Sequence, residues 1–218
     1  MRNERTPIAV EGFPFIGAAA VATALLVMGA GRLPLLTPLA VLAGVVTLFI
    51  AFFFRNPQRR TPTDENAVIA PADGRVIFTG SAFEPHLGAE AVKVSIFMSV
   101  FNVHVNRSPV TGAVVDTFYT RGKFLDVRHE RATFENEQSG LLIETERGAR
   151  LVVVQVAGLI ARRIVCYIKK GDRTRRGERY GLIRFGSRLD VYLPAGTTLA
   201  VAVGDATAAG ETVLGYLP

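Results

Sequence analysis

Only a few side chains in this sequence could act as acids, bases or nucleophiles in a catalytic site. The chain has three histidines, His86, His104 and His129. His86 lies in a loop-like segment and His129 in a run of charged residues, so both are expected to be solvated. His104 differs, because it follows an apolar stretch and has polar neighbours that would crowd one face of a strand. Among the histidines, His104 is therefore the best candidate for proton transfer near neutral pH.

A second candidate is the pair Gly186-Ser187, which lies between two predicted strands. A glycine followed by a serine carries little information alone, because Gly80-Ser81 is another such pair in the same chain. Either pair is typical of a turn or a bulge in which the hydroxyl bonds locally. Ser187 becomes a candidate nucleophile only if the surrounding sequence supports it.

Other classes of site are disfavoured by the sequence. No Asp, Glu or second His recurs at metal-ligand spacing, and the sequence has no glycine-rich phosphate loop and no Gly-x-Ser-x-Gly elbow. Cys166 is the only cysteine, which excludes an internal disulfide and a cysteine-rich metal site. We therefore expect no metal and no nucleotide cofactor.

The net charge of +6 rests mainly on arginine, which suits phosphate recognition. No nucleic acid partner is expected, because the sequence has no DNA-binding motif and no basic stretch interleaved with aromatic residues. Anionic lipid headgroups are the expected partner instead, since the N-terminal part of the chain favours a membrane location.

Two nearly charge-free runs, residues 13–30 and 35–54, approach the length of about 20 residues that crosses the hydrocarbon core of a bilayer. The segment between them contains glycine and proline, which predicts a tight turn and hence a membrane anchor over residues 1–54. A cleaved signal peptide and a buried helical hairpin are the alternatives. The length of the runs disfavours the first, and the lack of polar residues at helical spacing disfavours the second.

The charges beside the anchor predict its orientation. Arginines lie on both outer sides of the two runs, and the positive-inside rule then places both ends in the cytoplasm. We therefore expect a cell-membrane protein whose main domain is on the cytoplasmic side. These arginines are Arg2, Arg5, Arg55, Arg59 and Arg60.

After a polar linker at residues 55–66, the predicted domain of residues 67–218 alternates short β-type runs with glycine and charged residues. A Gly-Asp pair followed by a Gly-Glu pair occurs twice, within residues 171–178 and 204–211. This repeat resembles the paired turns of lipoyl and biotinyl carrier domains, so the expected fold is a mainly β barrel-sandwich preceded by the two-helix transmembrane hairpin. Neither turn offers the central lysine that a true carrier would modify. The β-type runs are residues 75–79, 91–98, 112–119, 140–145, 150–156 and 163–168.

A larger set of residues closely resembles the phosphatidylserine decarboxylases. The resemblance covers roughly residues 55–218 in family order, and the segment around Ser187 is similar to the short bacterial and archaeal-type branch. Its parts are residues 70–74, the His104 segment, Asn136-Glu137, residues 154–164, Gly171-Asp172, Gly177-Glu178 and the run Arg184-Phe185-Gly186-Ser187-Arg188-Leu189-Asp190-Val191-Tyr192-Leu193-Pro194.

The resemblance implies a proenzyme that cuts its own chain between Gly186 and Ser187. Ser187 would become an N-terminal pyruvoyl group, so the cofactor would be pyruvate derived from the chain itself. The beta chain, residues 1–186, and the alpha chain, residues 187–218, would stay associated as a heterodimer. The implied enzyme is a carboxy-lyase that converts phosphatidylserine to phosphatidylethanolamine.

The resemblance also implies Asp73 and His104 as acid-base residues, in the manner of an Asp that orients a His beside a serine hydroxyl. Arg107 is a departure, because longer members have there a second histidine that assists maturation. The base used in maturation therefore stays open, with His104 as the candidate for both steps. Arg107 is the candidate for binding the substrate phosphate or carboxylate.

Two other hypotheses compete with the enzyme. One is a non-catalytic membrane-anchored adaptor with a carrier-like β fold. The other is an inactive relative that keeps the fold but does not mature, which the departure at Arg107 would favour. Both predict a single intact chain, whereas the enzyme predicts two.

Overall fold

A computed structural model describes residues 6–128, 131–158, 163–184 and 186–218 of the chain. The chain divides into two compact units, Met1–Gln58 and Arg59–Pro218. Some positions on which the sequence predictions drew lie outside the described residues: Arg2, Arg5, His129, Phe185 and residues 159–162.

The N-terminal unit contains two apolar helices, α1 (Phe13–Ala30) and α2 (Thr37–Phe53). With the short turns before them they form the stretches Val10–Ala30 and Pro34–Phe53, whose mean hydropathies are 2.0 and 2.4. Both stretches are long and apolar enough to cross a membrane. The predicted pair of helices is confirmed, and the second begins at Thr37 because Pro34–Leu36 forms a 3₁₀ turn.

The C-terminal unit is built mainly of antiparallel strands. The elements are β1 (Ala67–Ile69), β2 (Gly74–Glu84), β3 (Ala89–Met98), β4 (Val105–Arg107), β5 (Gly112–Thr120), α3 (Ala132–Glu135), β6 (Gln138–Glu144), β7 (Arg150–Ala157), β8 (Ile164–Cys166), β9 (Arg173–Thr174), β10 (Arg179–Ile183), β11 (Ser187–Leu193), β12 (Thr198–Leu199), β13 (Ala206–Thr207) and β14 (Val213–Tyr216). The main sheet has the strand order β13-β2-β3-β11-β7-β6-β5-β9 and curls into a half barrel. Two smaller sheets have the orders β1-β14-β12 and β4-β10-β8. The predicted mainly β fold is confirmed.

The repeated Gly-Asp turns close the two edges of the main sheet. Gly171 and Gly204 have φ angles of 91° and 101°, in the left-handed region that favours glycine. The Gly171 N–H donates to the carbonyl of Val114 in β5, and the Gly204 N–H donates to the carbonyl of Val76 in β2. The edge strands β9 and β13 then follow the two turns and pair with β5 and β2. The sequence repeat is thus a structural repeat.

Three neighbouring strands of the main sheet, β3, β11 and β7, are each joined in sequence to a strand of the β4-β10-β8 sheet at the same end, and we call this end the crossing. The connections are β3 to β4, β7 to β8 and β10 to β11, and the described residues of the crossing are 99–104, 158, 163, 184 and 186. In the main sheet β11 lies between β3 and β7, and in the smaller sheet β10 lies between β4 and β8. Ile183 ends β10 and Ser187 begins β11, so each belongs to a strand that is paired on both sides.

The two faces of β11 differ, because successive side chains of a strand point to opposite faces of the sheet. Leu189 and Val191 are fully buried in the larger apolar core, and Ser187 shares their face. Asp190 and Tyr192 point the other way, where Tyr192 packs in a second apolar cluster. Consecutive residues of β11 therefore lie on opposite faces of the main sheet.

Candidate active site

Ser187 is the first residue of β11 and has no exposed surface. Its neighbours across the strands are Met98 of β3 and Ala157 of β7. The hydroxyl donates to the thioether sulfur of Met98, with 3.3 Å between Oγ and Sδ. A thioether is a weak acceptor, so the hydroxyl is shielded from water without being held by a strong partner. A proton held in this way is available to a stronger base.

The residue before Ser187 has a backbone that suits glycine. Gly186 has a φ of 62°, which side chains other than glycine rarely adopt. Its carbonyl also lies against Gly158, the first residue after β7. A Cβ atom added at Gly158 would lie 2.3 Å from the Gly186 carbonyl oxygen. Two glycines thus permit the close approach of two crossing segments at the bond that precedes Ser187.

A chain of buried polar side chains extends from Met98 away from Ser187. The Asn106 amide donates to the Met98 sulfur at 3.8 Å, and Gln155 Nε2 donates to Asn106 Oδ1 at 2.8 Å. Asn106 has no exposed surface, and Gln155 is 1% exposed. Buried polar groups of this kind are costly unless they bond one another, so the chain fixes the position of Met98 and hence of Ser187.

Sequence reasoning did not single out Met98, Asn106, Gln155 or Gly158 as members of the site. One usable signal was present, because Gln155 is a polar residue in the otherwise apolar interior of β7. The remaining members could be identified only after β3, β11 and β7 were known to be neighbours.

His104 lies in the crossing and is 2% exposed. Its carbonyl accepts the N–H of Ile183 at 3.4 Å, which brings it beside the chain that leads to Gly186. The ring Nδ1 lies 2.9 Å from the carbonyl oxygen of Asn102. Because a carbonyl only accepts, Nδ1 carries the proton of the neutral ring, and Nε2 is then the basic nitrogen. His104 is thus prepared to accept a proton through Nε2.

Asp73 has partners other than the predicted one. Its carboxylate accepts two hydrogen bonds from Arg59, at 2.8 and 3.0 Å, and one from the N–H of Ala209 at 2.8 Å. Within the described part of the chain, no hydrogen bond joins the His104 ring to the Asp73 carboxylate. The orientation of His104 comes instead from the main chain of Asn102.

Asp73 belongs to a group that we call the arginine cluster, defined by Arg59, Arg107, Arg179, Asp73 and Glu211. Arg107 is 7% exposed and donates to the Gly177 carbonyl at 2.8 Å. Burial and the neighbouring arginines lower the pKa of Arg107 to about 10, so it remains cationic at neutral pH. Three cations face two carboxylates in this cluster, which leaves an excess positive charge that suits an anionic group.

Comparison with known proteins agrees with the geometry. A family model described as phosphatidylserine decarboxylase matches residues 46–215. The chain is 67% identical over 218 residues to a phosphatidylserine decarboxylase proenzyme of Geobacter sulfurreducens, with 100% of each chain covered. It is 54% identical over 217 residues to the proenzyme of Trichlorobacter lovleyi, with 98% of each covered. These matches confirm the predicted resemblance, and the chain belongs to the phosphatidylserine decarboxylase family.

Proposed function

We propose that this chain is a proenzyme that cuts itself between Gly186 and Ser187 and then decarboxylates phosphatidylserine to phosphatidylethanolamine. The observation that carries the proposal is a fully buried serine hydroxyl that directly follows a left-handed glycine, in the same crossing as His104. An adaptor would not need this arrangement, because a buried hydroxyl with only a thioether as acceptor adds little to stability. The naming of the relatives as proenzymes supports the same conclusion.

Self-cleavage follows from the chemistry of the two residues. The Ser187 hydroxyl attacks the Gly186 carbonyl carbon, and the peptide bond is replaced by an ester as a base takes the hydroxyl proton. Elimination then releases residues 1–186 with a free carboxylate and leaves a dehydroalanine at position 187. Addition of water with loss of ammonia converts this residue into a pyruvoyl group. The residues present fit such a group, since position 187 is fully buried and its neighbours at the crossing, Gly186 and Gly158, have no side chains.

His104 is the proposed proton carrier. A pyruvoyl group supplies a ketone that accepts the electrons released when carbon dioxide leaves an amino acid. His104 takes the hydroxyl proton during maturation and returns a proton to the reacting carbon in turnover, with Nε2 as the active nitrogen. Asp73 is proposed to act indirectly, because its carboxylate bonds Arg59 and so fixes that side chain in the arginine cluster.

Arg107 is the proposed contact for the anionic part of the headgroup, because the arginine cluster carries one positive charge more than its carboxylates neutralise. Guanidinium groups bind phosphate and carboxylate with paired hydrogen bonds. The headgroup of phosphatidylserine carries both of these anions next to the amine that must reach position 187.

The cut chains are proposed to remain together as a heterodimer. Residues 187–193 would begin the new alpha chain, and they bond β3 on one side and β7 on the other. Loss of one peptide bond leaves both ladders in place, so dissociation would break the centre of the main sheet.

The helices α1 and α2 are proposed to hold the enzyme in the cell membrane, with the β domain on the cytoplasmic side. The arginines beside the helices favour this orientation. The proposed anchor is residues 1–54 and the proposed linker is residues 55–66. Arg59, in that linker, bonds Asp73 and Glu211, so the linker contacts the domain at residues 67–218 from Arg59 onward.

Denaturing mass measurement of the purified full-length protein tests the proposal. We expect two chains, with masses that correspond to residues 1–186 and to residues 187–218 with a pyruvoyl terminus. The smaller chain should gain mass with hydroxylamine, which reacts with its ketone. A single chain of 218 residues that does not react would support the adaptor or the inactive relative.

The proposed roles of His104 and Arg107 predict different effects of substitution on the steady-state kinetic constants. We expect His104→Gln to slow both cleavage and turnover by about 10²- to 10⁴-fold, the usual contribution of an acid-base residue.

We expect Arg107→Met to raise KM about tenfold to hundredfold, as the loss of a hydrogen bond to a charged group does. Arg150→Met is the control, because Arg150 is exposed and its guanidinium pairs with Glu144, outside the arginine cluster. An unchanged KM in Arg107→Met would exclude Arg107 from headgroup binding.

A further inference from the structure

A cavity of about 680 Å³ opens on the face of the main sheet opposite to Ser187. Pockets that hold small ligands have volumes of about 300–1,000 Å³, so this cavity is large enough for one. Arg188 and Tyr192 of β11 and Lys93 of β3 line the cavity. Because successive side chains of a strand alternate between the two faces, all three lie on the face opposite to Ser187. Aromatic rings form much of the remaining wall. These are Phe78, Phe83, Phe118 and Phe134.

Two buried cations on the wall share a single carboxylate. Lys93 Nζ lies 3.2 Å from Asp190 Oδ2, and Arg188 donates from Nη2 to the same oxygen at 2.9 Å, with its Nε 2.8 Å from Oδ1. Lys93 is 7% exposed, Arg188 is 3% exposed and Asp190 is 1% exposed. The three groups together carry one excess positive charge out of contact with bulk water. An excess buried charge is costly, and an anion in the cavity would relieve this cost.

Glu84 also lines the cavity, and its carboxylate has partners of its own. It is 5% exposed and accepts hydrogen bonds from the main-chain N–H and the ring Nδ1 of His86, at 2.9 and 2.7 Å. The His86 ring stacks on Phe118 with 3.6 Å between centroids. Glu84 is thereby engaged with His86, and among the described ion pairs Lys93 and Arg188 have Asp190, not Glu84, as their partner.

We propose that this cavity binds an anionic lipid with one acyl chain. Its carboxylate or phosphate pairs with Lys93 and Arg188, and its chain lies against the aromatic wall. Lys93 Nζ lies 5.8 Å from the centroid of the Phe78 ring and 5.1 Å from that of Tyr192. The cation that would bind the anionic group is therefore next to rings that would contact the acyl chain. A diacyl phospholipid exceeds the size of ligand that a pocket of this volume encloses. The site does not depend on the proposed reaction, because Ser187 belongs to the other face.

Photo-crosslinking of the full-length Ser187→Ala protein in lipid nanodiscs tests the proposal without any self-cleavage. Three diazirine probes are used: a fatty acid, a lysophosphatidic acid and an uncharged monoacylglycerol. Labels in α1 and α2 report how much of each probe enters the bilayer. We expect at least one acidic probe to label the strands that line the cavity at least about tenfold more than the uncharged probe, relative to those helices. Labelling by the fatty acid alone would assign a carboxylate ligand, and labelling by the lysophosphatidic acid alone a phosphate ligand.

Variants of Lys93 separate recognition from folding. Lys93→Met leaves Asp190 paired with Arg188, so the fold should persist, and the melting temperature checks this. We expect the acidic label at the cavity to fall at least about tenfold in Lys93→Met and to stay within about threefold in Lys93→Arg. Lys170→Met is the control, because Lys170 is exposed and does not line the cavity. Equal labelling by charged and uncharged probes, or an unchanged label in Lys93→Met, would overturn the proposal.

Discussion

Ser187→Ala is expected to leave the protein as one chain of 218 residues with no decarboxylase activity. Alanine has no hydroxyl to attack the Gly186 carbonyl, so neither the ester nor the ketone can form. The loss of activity should reach at least about 10⁴-fold, as for removal of other serine nucleophiles. The fold should persist, because the substitution removes only the hydroxyl, whose hydrogen bond to the Met98 sulfur is weak. Denaturing electrophoresis and carbon dioxide release measure the two effects.

Ser81→Ala is the matched control for this experiment. Ser81 also follows a glycine in a strand, but its hydroxyl is exposed and bonds the carboxylate of Glu90 at 2.7 Å. We expect this variant to be cut and to act like the natural protein. A Ser187→Ala protein that still splits at position 186, or that still releases carbon dioxide, contradicts the proposed origin of the cofactor.

The parts of the fold that follow from local sequence were predictable. Long apolar runs predict α1 and α2 because a bilayer sets the length of a spanning helix. The β-type runs predict strands because their composition alternates with glycine and charge, and each run corresponds to a strand. The paired glycine turns were visible because left-handed positions favour glycine, as the φ angles of Gly171 and Gly204 illustrate.

The parts of the site that depend on strand neighbours were not predictable in this way. Met98 and Gln155 reach the site only because β3 and β7 flank β11, and residues from distant parts of the chain set that order. Ser187 was found because its flanking residues resemble a family, since a Gly-Ser pair alone is common. The expected partner of Asp73 was His104, whereas its carboxylate bonds Arg59, which lies in a stretch predicted to be a linker.

Gly158→Ala is expected to block self-cleavage although Gly158 takes no part in the chemistry. The added Cβ would lie 2.3 Å from the Gly186 carbonyl oxygen, a distance that real contacts do not reach, and 3.1 Å from its carbon, closer than ordinary van der Waals contact. The carbonyl would have to move by about 1 Å, and a misplacement of this size costs about 10²-fold in rate. Cleavage should therefore slow at least about a hundredfold, as measured from the fraction of intact chain over time.

Gly80→Ala controls for the general effect of an alanine in a strand. An added Cβ at Gly80 would meet only the tip of the Phe78 ring, which is 42% exposed and can move away. This variant should mature at the natural rate, because no atom near Gly186 changes. Gly158→Ala could instead mature as fast as the natural protein with an unchanged melting temperature. That result would mean that the Gly186 carbonyl can move away from the added methyl group without slowing cleavage. The position of that carbonyl would then not limit the attack by Ser187.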